Sequence, residues 1–398
     1  MMDGTDSEPA PKPKICLVAV GGGALKVMGR LDKSLDGNVD RIGFDTDARE
    51  LERYPHIRAE RIGRSLLRGL GCGGDEDMGR LAVDADRNQI AQALSGYEMV
   101  FLIGCLGRGF ASGAMAEITK LAGKSGCPTV AIVSTPFEFE GKRPSGTARK
   151  ALNEVRRVAD CVVELPNDLL FQEAEESDRA DQLFDASDEW ILRAFSALAG
   201  PLLRPGELSA DLATFRAALK GDESRMHFST CRVPSGAGVA AVSKAIFNCP
   251  FRSAGMERVK ADRLLVSIGT SGELTVAEFS ELTRAITALF DSSEDAVIGF
   301  WSDPALEGEL EVTVFARTSL AGGSRARLPE KVIVHQSKLA GKKAKSQGKE
   351  RLQTEFDVLL EHNERGLFGS MDVEAYNGID LDKPTFLRRG IKIPMPKG

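Results

Sequence analysis

Apolar runs of strand length alternate with amphipathic stretches along the first half of the chain. The runs at 15–20 (ICLVAV), 99–104 (MVFLIG) and 129–134 (TVAIVS) are short, continuous and rich in β-branched residues, which is typical of strands buried on both faces. Residues with helical spacing follow the first two of these runs after a glycine-rich turn. Strands that alternate with helices in this way predict an α/β fold, a parallel sheet with helices on both faces.

The pattern changes after a long amphipathic helix, which we predict over 185–205. Beyond it, short strand-like runs (STCRVPSG, RLLVSIGTSGELT, DAVIGFWSD, ELEVTVFARTSL) surround one helical run, TVAEFSELTRAITALF. This predicts a smaller α+β C-terminal domain joined to the first domain by the long helix. The predicted boundaries are a disordered N-terminus (1–13), a first domain (14–184), the central helix (185–205), a second domain (206–325), a Lys-rich linker (326–380) and a C-terminal peptide (381–398).

The composition is that of an ordinary soluble globular protein and excludes several classes. The chain has 398 residues, a formal net charge of −6 and 42% hydrophobic residues. Seven scattered cysteines, none in a CxxC pair, and four unpaired histidines argue against a disulfide framework and against a metal site, and they indicate reduced thiols in the cytoplasm. No run approaches the ~20 apolar residues of a membrane span, the N-terminus lacks the apolar core of a secretory signal, and the acidic balance argues against nucleic-acid binding.

Glycine is concentrated where the predicted strands end. The chain has 41 glycines, and three clusters lie at 21–23, 69–74 and 104–113, all in the first domain. A glycine turn between a strand and a helix lets backbone N–H groups approach a phosphate, and the carboxyl ends of parallel strands share one edge of the sheet. The clusters therefore predict a nucleotide site, with plain turns as the alternative. GxxxxGK[ST] and GxGxxG are both absent, and Lys26 could either reach a phosphate or be an exposed helix lysine.

Several unusual segments occur in the order known from one family. The chain resembles the tubulin/FtsZ superfamily of GTP-binding, filament-forming proteins, and within it bacterial FtsZ, over residues 15 to about 320 and again over the last 20. The segments that carry the resemblance are VGGG (20–23), FDTDARELER (44–53), IGRSLLRGLGCGGDEDMG (62–79), VSTPFEFEGKR (133–143), LPNDLL (165–170), RPGELSADLA (204–213) and DKPTFLRRG (382–390). It implies that the first domain binds GTP or GDP, with Mg²⁺ as a candidate companion ion.

The resemblance also implies roles for individual residues. Guanine would stack near Phe184 and bond Asn167 and Glu189, where the family usually has aspartate; taken alone, Glu189 would be an exposed helix charge. Glu140 would hold the ribose, and Arg143 is offset by one position from the family's arginine. The implied nucleotide-binding residues of the loops are Gly21, Gly22, Gly23, Asp45, Cys72, Gly73, Gly74, Gly107, Arg108, Gly109, Phe110, Ala111, Ser112 and Gly113.

Two segments depart from the family pattern. In the third glycine cluster Phe110 replaces a threonine, and we expect its ring to reshape the loop, with Arg108 either supplying charge or pointing into solvent. In the segment that the family uses to complete the active site of the next subunit, Asp211 is retained but Thr214 replaces a second aspartate. Threonine brings no charge to polarise the attacking water, so slow hydrolysis is expected. Asp211 also has the position of an N-cap for a following helix.

Two functions follow from the resemblance. The first is a GTPase that polymerises head to tail for bacterial cell division, with GTP hydrolysed slowly at the subunit interface. The alternative is a non-hydrolysing FtsZ-like filament or scaffold with altered or absent nucleotide use. A small-molecule enzyme on the same fold is disfavoured, because no nucleophile–base pair or metal cluster is evident in the sequence.

The C-terminal peptide resembles the segment through which the family recruits membrane-anchoring and division proteins. An apolar–basic motif suited to docking in a groove is formed by Pro384, Phe386, Leu387, Arg388 and Arg389. The tail lacks a long amphipathic helix, so direct membrane insertion is not expected. The implied location is the cytoplasm, at the division site.

Overall fold

The computed structural model describes residues 13–31, 39–124, 126–171, 179–204, 208, 211–220, 224–252, 261–272, 274–290, 292, 296–319, 375–376 and 379–380. Contacts divide the chain into two compact units, Met1–Arg325 and Ala326–Gly398. In the second unit, β11 (Ala375–Tyr376) and β12 (Ile379–Asp380) pair antiparallel. The predicted N-terminal disorder, most of the linker and the whole C-terminal peptide lie outside the described residues.

The first unit is built on one ten-stranded sheet. Its strand order is β3-β2-β1-β4-β5-β6-β7-β10-β8-β9. Strands β1 to β7 are all parallel, with β7 joined to β6 through one register pair. Strand β10 runs antiparallel to both of its neighbours, β7 and β8, and β9 is parallel to β8. The strands are β1 (Ile15–Val20), β2 (Val39–Asp45), β3 (Arg58–Arg61), β4 (Met99–Cys105), β5 (Thr129–Thr135), β6 (Cys161–Pro166), β7 (Ser224–Pro234), β8 (Arg263–Thr270), β9 (Val297–Ser302) and β10 (Glu309–Ser319).

Helices cover both faces of the sheet, so the predicted α/β architecture is confirmed. The central helix begins five residues before the predicted start. The helices are α1 (Gly22–Gly29), α2 (Ala48–Glu52), α3 (Arg64–Leu67), α4 (Glu76–Ala85), α5 (Arg87–Ala93), α6 (Gly109–Lys124), α7 (Lys142–Arg156), α8 (Asn167–Phe171), α9 (Ala180–Leu203), α10 (Leu212–Leu219), α11 (Val239–Phe247) and α12 (Val276–Leu289). The domain boundaries near residue 205 stay a prediction, although β6 and β7 are joined through one register pair, Val163 and Met226.

Two apolar layers explain why the strands of the first half show no polar alternation. Alternate residues of β1 enter different layers: Leu17 packs in the layer of the central helix α9, and Val18 packs in the layer of α6. Because both faces are covered by helices, every residue of β1 is buried. A third apolar cluster lies between β7, β8, β10 and the helices α11 and α12.

The end of α9 is attached to the strands that follow it. The guanidinium of Arg204 lies 4.9 Å from the ring centroid of Trp301 and pairs with Asp303. Trp301 is buried and donates a 2.8 Å hydrogen bond to Ser267. The backbone N–H of Phe300 donates to the carbonyl of Leu208 at 3.0 Å. These contacts attach the end of α9 to β8 and β9.

Candidate functional site

Several loops meet at the edge of the sheet formed by the carboxyl ends of β1, β2, β4, β5 and β6, here called the loop edge. The first and third glycine clusters are in contact there: a Cβ added to Gly21 would lie 3.2 Å from Cβ of Ala111. Gly21 has φ of +90°, which a residue with a side chain rarely adopts. Helices α1 and α6 both begin at this edge, so their free backbone N–H groups and positive dipole ends suit an anion such as a phosphate.

The second glycine cluster closes onto the same edge. The hydroxyl of Thr46 lies 3.3 Å from the sulfur of Cys72, and a Cβ on Gly109 would lie 2.8 Å from the backbone nitrogen of Asp75. Beside Gly73 and Gly74 an added Cβ would meet no atom within 4 Å. These two glycines therefore border open space, where their backbone can approach a ligand. The structure thus brings the three clusters together as the sequence predicted.

The side chains of the third cluster lie apart from the open space. Phe110 is buried in the apolar layer of α6. The reshaping of the loop by this ring stays a prediction. Ser112 is buried as well, and its hydroxyl accepts a 2.8 Å hydrogen bond from the backbone N–H of Gly107. Arg108 is 86% exposed and only approaches Glu140, at 3.9 Å. The loop is thus shaped by Ser112 and by core packing, and it offers mainly backbone to a ligand.

Asp45 is a buried carboxyl at the loop edge. Its Oδ1 accepts from the backbone N–H of Thr46 at 2.6 Å and of Asp47 at 2.9 Å. Asp47 in turn caps α2 by accepting from the N–H of Arg49. Burial raises the pKa of the Asp45 carboxyl, and the backbone hydrogen bonds oppose that rise. The charged form of Asp45 is therefore disfavoured in the folded state.

Asp45→Asn is expected to raise the free energy of unfolding near pH 7. Asparagine can accept the same hydrogen bonds through its own Oδ1, and it removes the buried charge. Because the folded pKa lies above the unfolded value of 3.8, the carboxyl costs stability as pH rises through that window. The gain should therefore shrink as pH falls toward 3.8. Urea unfolding of both proteins at the two pH values measures this, and a wild type more stable than the variant at neutral pH would contradict it.

The ribose-side loop, 136–141, lies between the third cluster and α8. Glu140 accepts a 3.1 Å hydrogen bond from the backbone N–H of Phe137, so one of its oxygens is already used within the loop. Asp168 accepts from the N–H of Glu138 at 2.6 Å and ties this loop to the start of α8. Arg143 is exposed and lines a cleft of about 430 Å³ that also borders Gly74.

Asn167 and Phe184 each contact a neighbour of the other at the end of the loop edge, next to β6, and neither contact involves Glu189. Asn167 is 6% exposed, and its Oδ1 accepts a 2.8 Å hydrogen bond from the hydroxyl of Ser187. Phe184 lies with its ring centroid 5.3 Å from that of Phe137. Glu189 is exposed.

Asp188 is the carboxylate that sequence reasoning missed at this end. It is buried, and its Oδ2 pairs with Lys26 at 2.9 Å and with Arg30 at 3.1 Å. Its Oδ1 has no hydrogen-bond partner within the described part of the chain. The sequence feature that identifies Asp188 is the helical period. Asp188 is four residues after Phe184 and shares its face of α9, whereas Glu189 is five residues after Phe184 and lies on a different face. Lys26 is thus held by acidic side chains of α9, including Asp185 at 3.2 Å.

Asp211 and Thr214 lie at the opposite edge of the sheet. Asp211 caps α10: it accepts from the N–H of Thr214 at 2.8 Å and from its hydroxyl at 2.6 Å, which confirms the predicted N-cap. These bonds hold the pKa of the Asp211 carboxyl below its usual value. Ser209 and Ala210 lie outside the described residues.

The first residues of α10 face the amino ends of the strands. Leu212 and Ala213 line a cleft of about 380 Å³ together with Glu98, just before β4, and Pro128, just before β5. Strand β4 has seven residues, so at ~3.3 Å per residue its two ends lie about 20 Å apart. Asp211 and the loop edge of the same chain are therefore too far apart to act on one ligand.

Within the described residues no group of three or more His, Cys, Asp or Glu is arranged to hold a metal ion. Mg²⁺ beside a nucleotide usually takes phosphate oxygens, waters and one or two carboxylates. A Mg²⁺ companion of GTP stays a prediction. In the part of the chain that is described, no helix is both long and apolar enough to cross a membrane.

Comparison with known proteins agrees with this geometry. Residues 14–175 match the model of the GTPase domain of the Tubulin/FtsZ family. Over 323 residues, 81% of this chain, the sequence is 28% identical to the cell division protein FtsZ of Caulobacter vibrioides. The match covers 63% of that relative's own length.

Solved structures give the same result for the fold. A tryptophan-to-tyrosine mutant of FtsZ from M. jannaschii is similar with a TM-score of 0.71 at 25% identity, covering 77% of this chain and 92% of that one. CetZ2 from Haloferax volcanii, solved as a GTPγS-bound protofilament, is similar with a TM-score of 0.61 at 22% identity, covering 76% and 92%. With the glycine loops at one edge of a parallel sheet and the sequence match over the same residues, the chain belongs to the tubulin/FtsZ superfamily.

Proposed function

We propose that this protein binds GTP at the loop edge and assembles head to tail, with GTP hydrolysed slowly at the contact between subunits. The observation that carries the proposal is the position of Asp211 at the edge of the sheet opposite the glycine loops. A nucleotide at the loop edge can meet this carboxylate only if it comes from another copy of the chain. When the loop edge of one copy packs on the Asp211 edge of the next, the contact is heterologous, because two different surfaces meet. Heterologous contacts that do not close into a ring repeat into filaments.

The similar structures support self-association. One of the FtsZ structures from M. jannaschii is a dimer, and the CetZ2 structure is a protofilament. The open glycines at the loop edge and the free N-termini of α1 and α6 suit the phosphates of GTP. We extend the proposal to bacterial cell division in the cytoplasm, at the division site, with membrane-anchoring or division proteins bound by the C-terminal peptide.

Slow turnover is proposed because Asp211 is already engaged. Both of its oxygens take hydrogen bonds from Thr214, and the lowered pKa makes the carboxylate a weaker base. The same contacts favour the second candidate, a filament or scaffold that binds nucleotide without hydrolysing it. The decisive measurement is phosphate release from GTP over a range of protein concentrations. The first candidate requires release that begins only above the concentration at which filaments form; filaments without release support the second.

Asp188→Ala is expected to weaken GTP binding by about 10–100-fold, the usual cost of losing a hydrogen bond to a charged group. Its free Oδ1 lies on the same face of α9 as Phe184 and can accept from the N–H groups of guanine. Glu189→Ala is the matched control, one residue away on the exposed side of the helix, and should change the affinity little. Equilibrium binding of a fluorescent GTP analogue measures both. If Glu189→Ala lost binding and Asp188→Ala kept it, our assignment from the structure would be wrong and that from the sequence right.

A further inference from the structure

The cleft of about 380 Å³ at the Asp211 edge of the sheet combines apolar walls with a free cation. Tyr97, Pro128 and Leu212 supply apolar surface, and Arg216 of α10 borders the same space. Arg216 is exposed, and its guanidinium makes no hydrogen bond or ion pair to any residue that the structure describes. Such a cleft suits an apolar segment that also carries acidic side chains.

The N-terminal arm of the chain, residues 1–12, begins beside this cleft. The first strand-forming segment is fastened to Glu98, which lines the cleft: the backbone N–H of Lys14 donates to the Glu98 carboxylate at 2.8 Å, and the N–H of Glu98 donates to the carbonyl of Lys14 at 2.9 Å. Strands β1 and β5 flank β4, so their amino ends lie about 10 Å apart. The arm therefore has only one strand to cross before it reaches the cleft.

The arm is long enough and has a suitable backbone. At ~3.1 Å per residue in a polyproline conformation, twelve residues span up to about 37 Å. Pro9 and Pro11 favour that conformation, which loses little entropy when it docks. Proline-rich segments dock in grooves that contain aromatic side chains, and Tyr97 is such a side chain here.

The order of charges along the arm matches the order of charges around the cleft. Lys12 comes first after the strand, on the side of Glu98. The proline segment follows, and beyond it the arm carries three acidic residues that can reach Arg216, namely Asp3, Asp6 and Glu8. Opposite charges thus meet at both ends of the apolar part.

We infer that this cleft is the docking site of the N-terminal arm of the same chain. Leu212 and Ala213, which line it, directly follow Asp211, so a docked arm covers the surface beside that carboxylate. It then competes with the loop edge of a neighbouring copy for the same surface, and the arm opposes assembly. This consequence for assembly rests on the proposed function, whereas the docking itself does not.

Crosslinking in the full chain, without nucleotide, tests the docking. The variant Ala10→Cys, Ala213→Cys carries one thiol on the arm and one on the cleft, and a short bismaleimide joins them; mass spectrometry identifies the linked peptides. The matched control is Ala10→Cys, Ala277→Cys, because Ala277 is also an exposed second residue of a helix, α12. The link to position 213 should form at least about 10-fold faster, as expected for a raised effective concentration. Equal rates would overturn the inference.

A mixture of the two single variants, Ala10→Cys and Ala213→Cys, tests whether the arm docks on its own chain. Links between chains should be rare at low protein concentration. Links that form as fast as in the double variant would show that the arm docks on a second copy, and they would overturn the inference.

Charge reversal tests the role of Arg216. In the crosslinking variant, Arg216→Glu should slow the link about 3–10-fold, and adding Asp3→Lys, Asp6→Lys and Glu8→Lys to it should restore the rate. Thermal melting shows that each variant folds. An unchanged rate with Arg216→Glu, or no recovery with the compensating lysines, would contradict the charge pairing.

The effect on assembly is measured with the arm substitutions alone, which leave the folded body unchanged. The variant Asp3→Lys, Asp6→Lys, Glu8→Lys should form sedimentable filaments with GTP at a protein concentration about 3–10-fold lower than the wild type needs, because its arm is repelled by Arg216. A variant that no longer docks but assembles at the wild-type concentration would overturn the opposition to assembly. A wild type whose arm docks but which never assembles would instead overturn the proposed function.

Discussion

Asp211→Asn is expected to lower GTP turnover by about 10²–10⁴-fold, the usual contribution of a positioned acid or base. The substitution removes the charge that would polarise the attacking water. It should leave the fold intact, because asparagine caps a helix about as well as aspartate. Binding of GTP should also be unchanged, because the carboxylate lies at the edge of the sheet opposite the glycine loops. Phosphate release and nucleotide affinity, measured on the same preparation, test the two parts separately.

Thr214→Ala is the matched control for this prediction. It removes the hydroxyl that donates to Oδ2 of Asp211 at 2.6 Å and keeps the backbone N–H that completes the cap. One carboxylate oxygen is then free, so turnover should be equal to that of the wild type or higher. A fall in turnover similar to that of Asp211→Asn would show that the threonine hydroxyl itself takes part.

Mixing two inactive variants tests whether the Asp211 carboxylate that acts on a nucleotide comes from the neighbouring subunit. Asn167→Ala impairs the part of the loop edge that is proposed to bind the guanine base, but it keeps Asp211. Asp211→Asn removes the carboxylate and leaves the loop edge intact. In filaments of both variants, about a quarter of the heterologous contacts join an intact loop edge to an intact Asp211. Turnover should therefore reappear on mixing. No recovery from filaments that contain both variants would contradict hydrolysis between subunits.

Glu311→Ala is expected to lower the free energy of unfolding by about 3–5 kcal/mol, the cost of leaving a buried charge without its partner. Glu311 is 3% exposed and accepts from Nε of Arg193 at 2.7 Å. Arg193 also donates to the hydroxyl of Thr230 at 3.2 Å and lies over the ring of Trp190. These contacts join the middle of α9 to β7 and β10, so their loss should loosen the central helix from that part of the sheet. Urea unfolding measures the change.

Glu309→Ala is the control on the same strand and the same face. The Glu309 side chain is 46% exposed and pairs with Arg232 at 3.5 Å, so its loss should cost no more than about 1 kcal/mol. The double variant Arg193→Met, Glu311→Leu should recover most of the stability, because apolar replacement of a buried pair is often neutral or better. Equal losses for Glu311→Ala and Glu309→Ala would contradict the view that burial decides the effect.

Local features of the structure were well predicted. The alternation of apolar runs and helical spacing gave the parallel sheet, because both periods follow from the backbone of a single element. The cap at Asp211 was predictable for the same reason, since a capping side chain binds a backbone N–H two or three residues away. The convergence of the glycine clusters followed from the rule that parallel strands share their carboxyl edge.

The orientation of individual side chains was predicted less well. The burial of Phe110 was not predicted: it lies on the face of α6 that also carries Ala114 and Ile118, four and eight residues later, and all three are buried in one layer. The choice between Asp188 and Glu189 depended on the rotation of α9, which a match of short motifs does not define.

The sequence by itself determined the fold class, the positions of the glycine turns and the helix caps, and membership of the superfamily through ordered motifs. Only the tertiary structure decided which carboxylate faces Lys26, that Ser187 and Asn167 are hydrogen-bonded, and that Asp211 lies at the edge opposite the glycine loops. The physical reason is the distance along the chain over which each kind of interaction acts. Backbone propensity, periodicity and capping act within a few residues, whereas these pairings join residues as far apart as Lys26 and Asp185, 159 positions along the chain, and exist only once helices have packed on the sheet.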